Sequence, residues 1–304
     1  MKWEKLGHVH GPDGSLPWAR NSALTPTPVV LDDGTLRVYA GFRDDAGRSR
    51  IGYVDVDPAE PTRVVRVAPE PVLDLGAPGA FDDNGVILGD VVRADGVLRM
   101  YYVGFHLPPH AKFLAFTGLA ESRDGGESFR RVSEEPVLGA AEEGTTIRAL
   151  HTIRREAGTW KAWYAIGSGW ETIDGVPYPR YSIACSESAD GVAFPAEGRR
   201  CIDPEGDEYR IGRPRVLRGG DGYRMLYTVG TRRKTYLPGY ATSPDGVSWR
   251  RDDAAIGIVP SAAGWDSEHL SYLAPVEVGG RTLAFYNGNR MGWSGFGCAE
   301  LLSW

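Results

Sequence analysis

One pattern recurs five times along this 304-residue chain and limits what it can become. A short apolar and aromatic run ending in glycine appears as Leu36-Arg37-Val38-Tyr39-Ala40-Gly41 and Leu98-Arg99-Met100-Tyr101-Tyr102-Val103-Gly104. It returns in the segments that start at Trp160 and Tyr223, and again as Leu283-Ala284-Phe285-Tyr286-Asn287-Gly288. Successive copies lie roughly sixty residues apart, the size of a four-stranded unit with long loops. A second apolar segment precedes each copy, at Pro28, Val86, Ile147, Arg213 and Tyr272, and is expected to be the innermost strand of its unit. After three of the aromatic strands comes Ser-x-Asp-Gly: Ser122 to Gly125, Ser188 to Gly191 and Ser243 to Gly246. Asp-Gly supplies a tight turn with positive φ, and the aromatic residue after each turn (Phe129, Phe194, Trp249) is placed to pack between units.

Five such sets predict an all-β chain, a single five-bladed β-propeller domain over residues 1–304. The last set runs out near Trp304 one strand short. The N-terminal segment Trp3-Glu4-Lys5-Leu6-Gly7 is expected to supply that strand and close the ring, which removes the open sheet edges. The 40 glycines and 21 prolines fit so turn-rich a fold.

A formal charge of -6 argues against a nucleic-acid surface. No apolar run is long enough to span a bilayer and no secretory signal opens the chain, so neither nucleic acid nor membrane is expected as a partner and the location is expected to be cytoplasmic. Three cysteines without metal-type spacing are expected to be reduced thiols. His106 and His110 flank Pro108-Pro109 with no third ligand nearby, so no metal and no cofactor is expected. The sequence carries no signal for oligomeric state.

In a propeller the entrances of the inner strands converge on one axis. Here they hold Asn21 with Ser22, then Asp82-Asp83-Asn84, then Thr145-Thr146 with Arg148 and His151, then Asp207-Glu208-Tyr209-Arg210 with Arg213, and last Trp265-Asp266-Ser267-Glu268-His269. Carboxylates are thus expected to approach the axis from three sets. Two carboxyl groups in different environments are what glycoside cleavage uses, one protonated for the leaving oxygen and one ionised. Arginines at two entrances point either to internal pairing or to an anionic ligand such as a phosphate or uronate. Arg210 is expected in the loop before its strand. Trp265 and Trp293 are the aromatic residues best placed to face a sugar.

The fivefold pattern resembles the five-bladed β-propeller glycoside hydrolase superfamily of arabinanases, β-xylosidases, invertases and mannoside phosphorylases. The residues that carry the likeness are Gly79-Ala80-Phe81-Asp82-Asp83-Asn84-Gly85-Val86, the Asp207-Glu208-Tyr209 station with Arg213-Pro214, and Gly264-Trp265-Asp266-Ser267-Glu268 with Tyr286-Asn287-Gly288-Asn289. The nearest likeness is to a glycosidase-like branch found in surface-sugar and natural-product biosynthesis. The resemblance implies a carbohydrate-active enzyme with Asp83 and Asp82 as base or nucleophile, Glu268 or Glu208 as acid and Asp266 as electrostatic partner. It implies substrate contacts from Arg148, His151, Arg210, Arg213, Asn84, Trp265, His269, Trp293 and Asn21. One departure stands out: Asn21-Ser22-Ala23-Leu24-Thr25-Pro26 has no carboxylate where invertase-type enzymes carry the nucleophile. Hydrolysis, phosphorolysis and transfer therefore stay open. So do a non-catalytic sugar-binding propeller, and a glycosidase scaffold turned to other acid–base chemistry on a biosynthetic intermediate. Carboxylates each locked to an arginine, with no free partner, would favour binding over two-carboxylate catalysis.

Overall fold

The computed structural model describes residues 1–109, 111–233 and 235–304. His110, the second histidine flanking Pro108-Pro109, lies outside the described residues. The protein is all-β, and its strands pair in chain order. The first set is β2 (Asn21–Val30), β3 (Leu36–Arg43), β4 (Ser49–Val56) and β5 (Val64–Val67). The second is β6 (Val86–Ala94), β7 (Val97–His106), β8 (Leu114–Ser122) and β9 (Arg130–Arg131). The third is β10 (Ile147–Glu156), β11 (Thr159–Ile173), β12 (Val176–Ser188) and β13 (Arg199–Ile202). The fourth is β14 (Glu208–Gly219), β15 (Gly222–Thr231), β16 (Tyr236–Ser243) and β17 (Arg250–Arg251). The last joins β18 (Ser271–Val278), β19 (Arg281–Asn287) and β20 (Phe296–Ser303) to β1 (Lys2–His10), which pairs antiparallel with β20. Each first strand packs on the next: β2 on β6, β6 on β10, β10 on β14, β14 on β18, and β18 on β2.

The core lies between neighbouring sets. Tyr39, Ile51 and Tyr53 of the first face Leu88, Met100 and Tyr102 of the second, and Trp163 and Ile183 of the third face Val216, Met225 and Tyr227 of the fourth. Each such side chain contributes about 1.5–3 kcal/mol by leaving water.

The Ser-x-Asp-Gly turns tie one set to the one before. Ser122 Oγ donates to Asp124, which accepts the backbone N–H of Glu127 and Ser128, while Gly126 N–H donates back to Ser122 Oγ. Ser188 with Asp190 and Ser243 with Asp245 repeat the arrangement. The glycine carbonyl then accepts from an aromatic side chain on the preceding set: Tyr39 Oη on Gly126 at 3.0 Å, Tyr101 Oη on Gly191 at 2.8 Å, and Trp163 Nε1 on Gly246 at 2.7 Å. The aromatic after the turn packs beside it, as Phe129 does edge-on to Tyr39. Among the described residues no helix is long and apolar enough to cross a membrane.

Candidate functional site

All five first strands break register at the same level. The slips fall between Leu24 and Thr27, Leu88 and Asp90, Leu150 and Thr152, Gly212 and Arg215, and Ser271 and Ala274. A bulge leaves its extra residue unpaired and re-aims the side chain. Pro26 and Pro214 sit inside two of these bulges, where a missing N–H costs no ladder bond. Thr25 (φ 52°), Arg213 (φ 57°) and Tyr272 (φ 61°) take left-handed backbone there, a cost that recurs at functional positions. Gly89 is tightly enclosed, for a Cβ on it would run into the carbonyl oxygens of Leu150 and Tyr101.

The bulged residues Thr25, His151, Arg213 and Tyr272 line a cavity of about 550 Å³. Arg43, Asn84, Arg210, Tyr181 and Tyr236 join them, with Lys112 and Tyr178 toward the rim. Its described lining contains no aspartate or glutamate.

Arg210 lies within β14, paired with Gly230 and Tyr181, and not in a preceding loop as the sequence suggested. Its side chain crosses Gly230, where a Cβ would meet Nε at 2.6 Å. The guanidinium sits 4.4 Å from the ring centre of Tyr236, 4.9 Å from Tyr209, 5.9 Å from Tyr181 and 6.0 Å from Tyr178. Its Nε is buried without a hydrogen-bond partner, and no described carboxylate pairs with it. Tyrosine rings offer a cation only their quadrupole, so its charge is partly compensated and its donors remain for a ligand. The hydroxyls of Tyr181 and Tyr236 are 2.8 Å apart, and Tyr272 donates to Tyr236 at 3.4 Å. Burial raises the pKa of all three, so they stand as neutral phenols.

Arg213 braces the cavity floor. It donates to the carbonyls of Leu88, Gly89 and Thr25, to Thr27 Oγ1, and to His151 Nδ1 at 3.2 Å. Burial, then Arg215, push Arg213 down to about 9, which leaves it charged at neutral pH. His151 is pushed well below its ordinary value by burial and by Arg213 and Arg215, so the imidazole is neutral. Arg215 donates to Asp90 at 2.9 Å and to the His151 carbonyl at 2.6 Å, beyond the bulge between Gly212 and Arg215 that breaks the alternation of the strand.

The expected convergence of carboxylates is not observed. Asp82 is buried against Arg131 at 2.7 Å and Tyr102 Oη at 3.0 Å. Asp266 is buried against Lys5 at 2.7 Å and Tyr286 Oη at 3.0 Å. Glu208 takes both arms of Arg251 at 2.7 and 2.9 Å. The cations come from β9, β1 and β17, each the outermost strand of the set whose first strand the carboxylate precedes or opens. They form a clasp across the set. Asp83 accepts from Gly79 N–H at 2.8 Å and meets His106 Nδ1 at 2.9 Å; burial opposes its ionisation, but these contacts win and hold its pKa low. Glu268 is exposed, and its backbone N–H donates to Asn289.

Of the other expected contacts, Asn84, His151, Arg210 and Arg213 are brought together at the cavity. Arg148 is turned away and held by Glu143 at 2.8 Å and by the carbonyls of Gly139 and Pro195. Trp265 is stacked on Tyr286. Neighbouring His269 donates its backbone N–H to Asn289. Asn21 accepts from its neighbour Ser22. Trp293 is exposed beside the rim residue Met291 and stacks with Arg290 at 4.7 Å. Thr25, Arg43, Tyr181, Tyr236 and Tyr272 escaped the sequence reading; the signal that could have found them was Pro26 and Pro214 at equivalent places in two inner strands. Among the described residues no cluster of histidine, cysteine, aspartate and glutamate could hold a metal ion.

The all-β fold is shared with solved structures of glycoside hydrolases. The complex of BT0996 with RGII superposes with a TM-score of 0.76 at 18% identity, over 98% of this protein and 91% of that one. A glycosyl hydrolase from Bacteroides ovatus gives 0.73 at 16%, over 98% and 93%. A structure reported for the GH130 family of mannoside phosphorylases, with glycoside hydrolases that target β-1,2-mannosidic linkages in Candida mannan, gives 0.70 at 17%, over 98% and 93%. No family model matches the sequence. The protein belongs to the family of the uncharacterized protein Rv1502 of Mycobacterium tuberculosis, with which it shares 34% identity over 304 residues, 99% of each of the two.

Proposed function

We propose that residues 1–304 form one domain of five blades closed by β1, and that the protein is a cytoplasmic carbohydrate-active enzyme acting on a sugar or sugar-containing intermediate that carries an anionic group. The observation that carries this reading is Arg210, ringed by tyrosines, without a carboxylate partner, and facing a cavity whose described lining has no acid. Arg43 and Arg213 add two further guanidinium groups to the same lining. Three cations beside neutral phenols and a neutral imidazole favour a phosphate or carboxylate over a neutral sugar. The fold shared with a structure of the mannoside phosphorylase family supports a sugar as the remainder. Cys185, Cys201 and Cys298 are free, in keeping with a reducing compartment.

The acid–base groups of this reading are His151 and the cavity tyrosines, not a carboxylate pair. Neutral Tyr236 and Tyr272 are proton donors within reach of one another, and the arginines stabilise the phenolate formed when one gives up its proton. A non-catalytic sugar-binding propeller is the second reading, favoured by the clasped state of Asp82, Asp266 and Glu208.

Turnover of aryl glycosides, aryl uronides and glycosyl phosphates, with and without added phosphate, tests the choice. Activity on an anionic sugar that survives Asp83→Asn and Glu268→Gln but is lost in Tyr272→Phe supports the reading. Activity lost in both carboxylate variants returns the chemistry to the two-carboxylate mechanism. Anion binding with no turnover leaves the binding propeller.

A further inference from the structure

The cavity lining combines a group of cations and phenols with a continuous apolar wall. Its arginines and phenols come from β3, β14, β16 and β18, together with Tyr178 and Tyr181 of β12, and Lys112 adds a cation at the rim before β8. Strands β6, β7, β8, β10 and β11 add His151 and an apolar wall that includes Ile87, Val103, Ala115, Ile147, Ala149 and Ala165. Five of these six belong to one buried apolar cluster, with Ile87, Phe105 and Phe113 packed against it. Leu107 and Phe113 carry the same surface to the rim, where Leu107 is 54% exposed. None of these apolar side chains donates or accepts a hydrogen bond.

A sugar ring carries hydroxyls around its edge, and each one pressed unpaired on such a wall would lower affinity by about 5- to 150-fold. The small alanines leave depth, and Tyr181, one of the rings around Arg210, packs against this wall, so the cation and the apolar surface adjoin. We propose that the ligand is amphiphilic: an anionic sugar or sugar phosphate whose anion meets Arg210 while an alkyl or aryl substituent lies along the Ile147–Ala149 wall. This rests on Arg210 as the anion site and adds an apolar aglycone or lipid-like chain to the substrate class.

Calorimetric titration with methyl phosphate, butyl phosphate and phenyl phosphate tests it on the intact protein. Each methylene buried on the wall raises affinity about fourfold, so butyl phosphate should bind about 60-fold more tightly than methyl phosphate. Ala149→Asn should remove that gain and leave methyl phosphate unaffected. Phe113→Ala, at the partly exposed rim, tests the same point without touching the deep wall and should weaken butyl and phenyl phosphate severalfold. Equal affinities for methyl and butyl phosphate, with Arg210→Gln weakening both, overturn this inference and leave the anion site standing. Probes that bind wild-type and Arg210→Gln protein alike overturn the anion site, and this inference with it.

Discussion

Arg213 donates to His151 Nδ1 across 3.2 Å, from a bulge in β14 to a bulge in β10. A guanidinium has no acceptor, so the imidazole nitrogen facing it must carry the lone pair, and the ring proton must sit on Nε2. His151 thereby becomes a fixed neutral donor beside the cavity. Nitrogen-15 NMR of the histidine side chains is predicted to show one Nε2–H tautomer that stays neutral below pH 6. Arg213→Gln is predicted to release the tautomer preference.

The same burial makes stability depend on pH with a definite sign. The folded-state pKa of His151 is depressed, so its contribution is intact above the unfolded value near 6.5 and is lost as pH falls toward the folded value. Urea titrations below pH 6.5 should show the wild type losing up to about 1.4 kcal/mol per pH unit from this residue. His151→Gln should have the shallower slope.

Asp82 is predicted to matter for folding and not for binding. Asp82→Asn leaves the Arg131 cation without its anion and should cost about 2–3 kcal/mol, since the carboxylate is buried while Arg131 is partly exposed. Thermal unfolding should register that loss while affinity for an anionic probe stays unchanged. A variant of normal stability with failed binding would restore Asp82 to the site.

The Ser-x-Asp-Gly turns are predicted to be staples between sets. Asp124→Ala removes the acceptor for Glu127 and Ser128 N–H and should destabilise by about 1–2 kcal/mol. Tyr39→Phe removes the bond to Gly126 from the other side and should cost about 1 kcal/mol. Because both act on one turn, a double-mutant cycle should give less than the sum.

Much of the fold was legible because its signals are local. Alternating apolar strands such as Leu98 to Gly104 and the Asp-Gly turns specify pairing and turn geometry without distant information. The site was legible in part. His151, Arg210, Arg213 and Asn84, singled out because they stand near inner-strand entrances, line the cavity. Asp82, Glu208 and Asp266 are ion-paired and do not line the cavity. They recur from set to set, and what recurs in a repeat protein is the device each copy needs, here a clasp to its outermost strand. Tyr272 and Thr25 were missed because a bulge breaks the period-two alternation by which a strand's facing is inferred, and three of the five bulges contain no proline to betray them.

The central claim is that Arg210 holds an anion. Calorimetric titration of glucose 1-phosphate, glucuronate and glucose into wild-type and Arg210→Gln protein tests it most directly. A charged hydrogen bond at this partly buried site predicts that Arg210→Gln weakens both anions about 10- to 150-fold. Wild-type protein should bind either anion more tightly than glucose, whose affinity the substitution leaves unchanged. Equal binding of glucose and its anionic counterparts, indifferent to Arg210→Gln, would contradict the account.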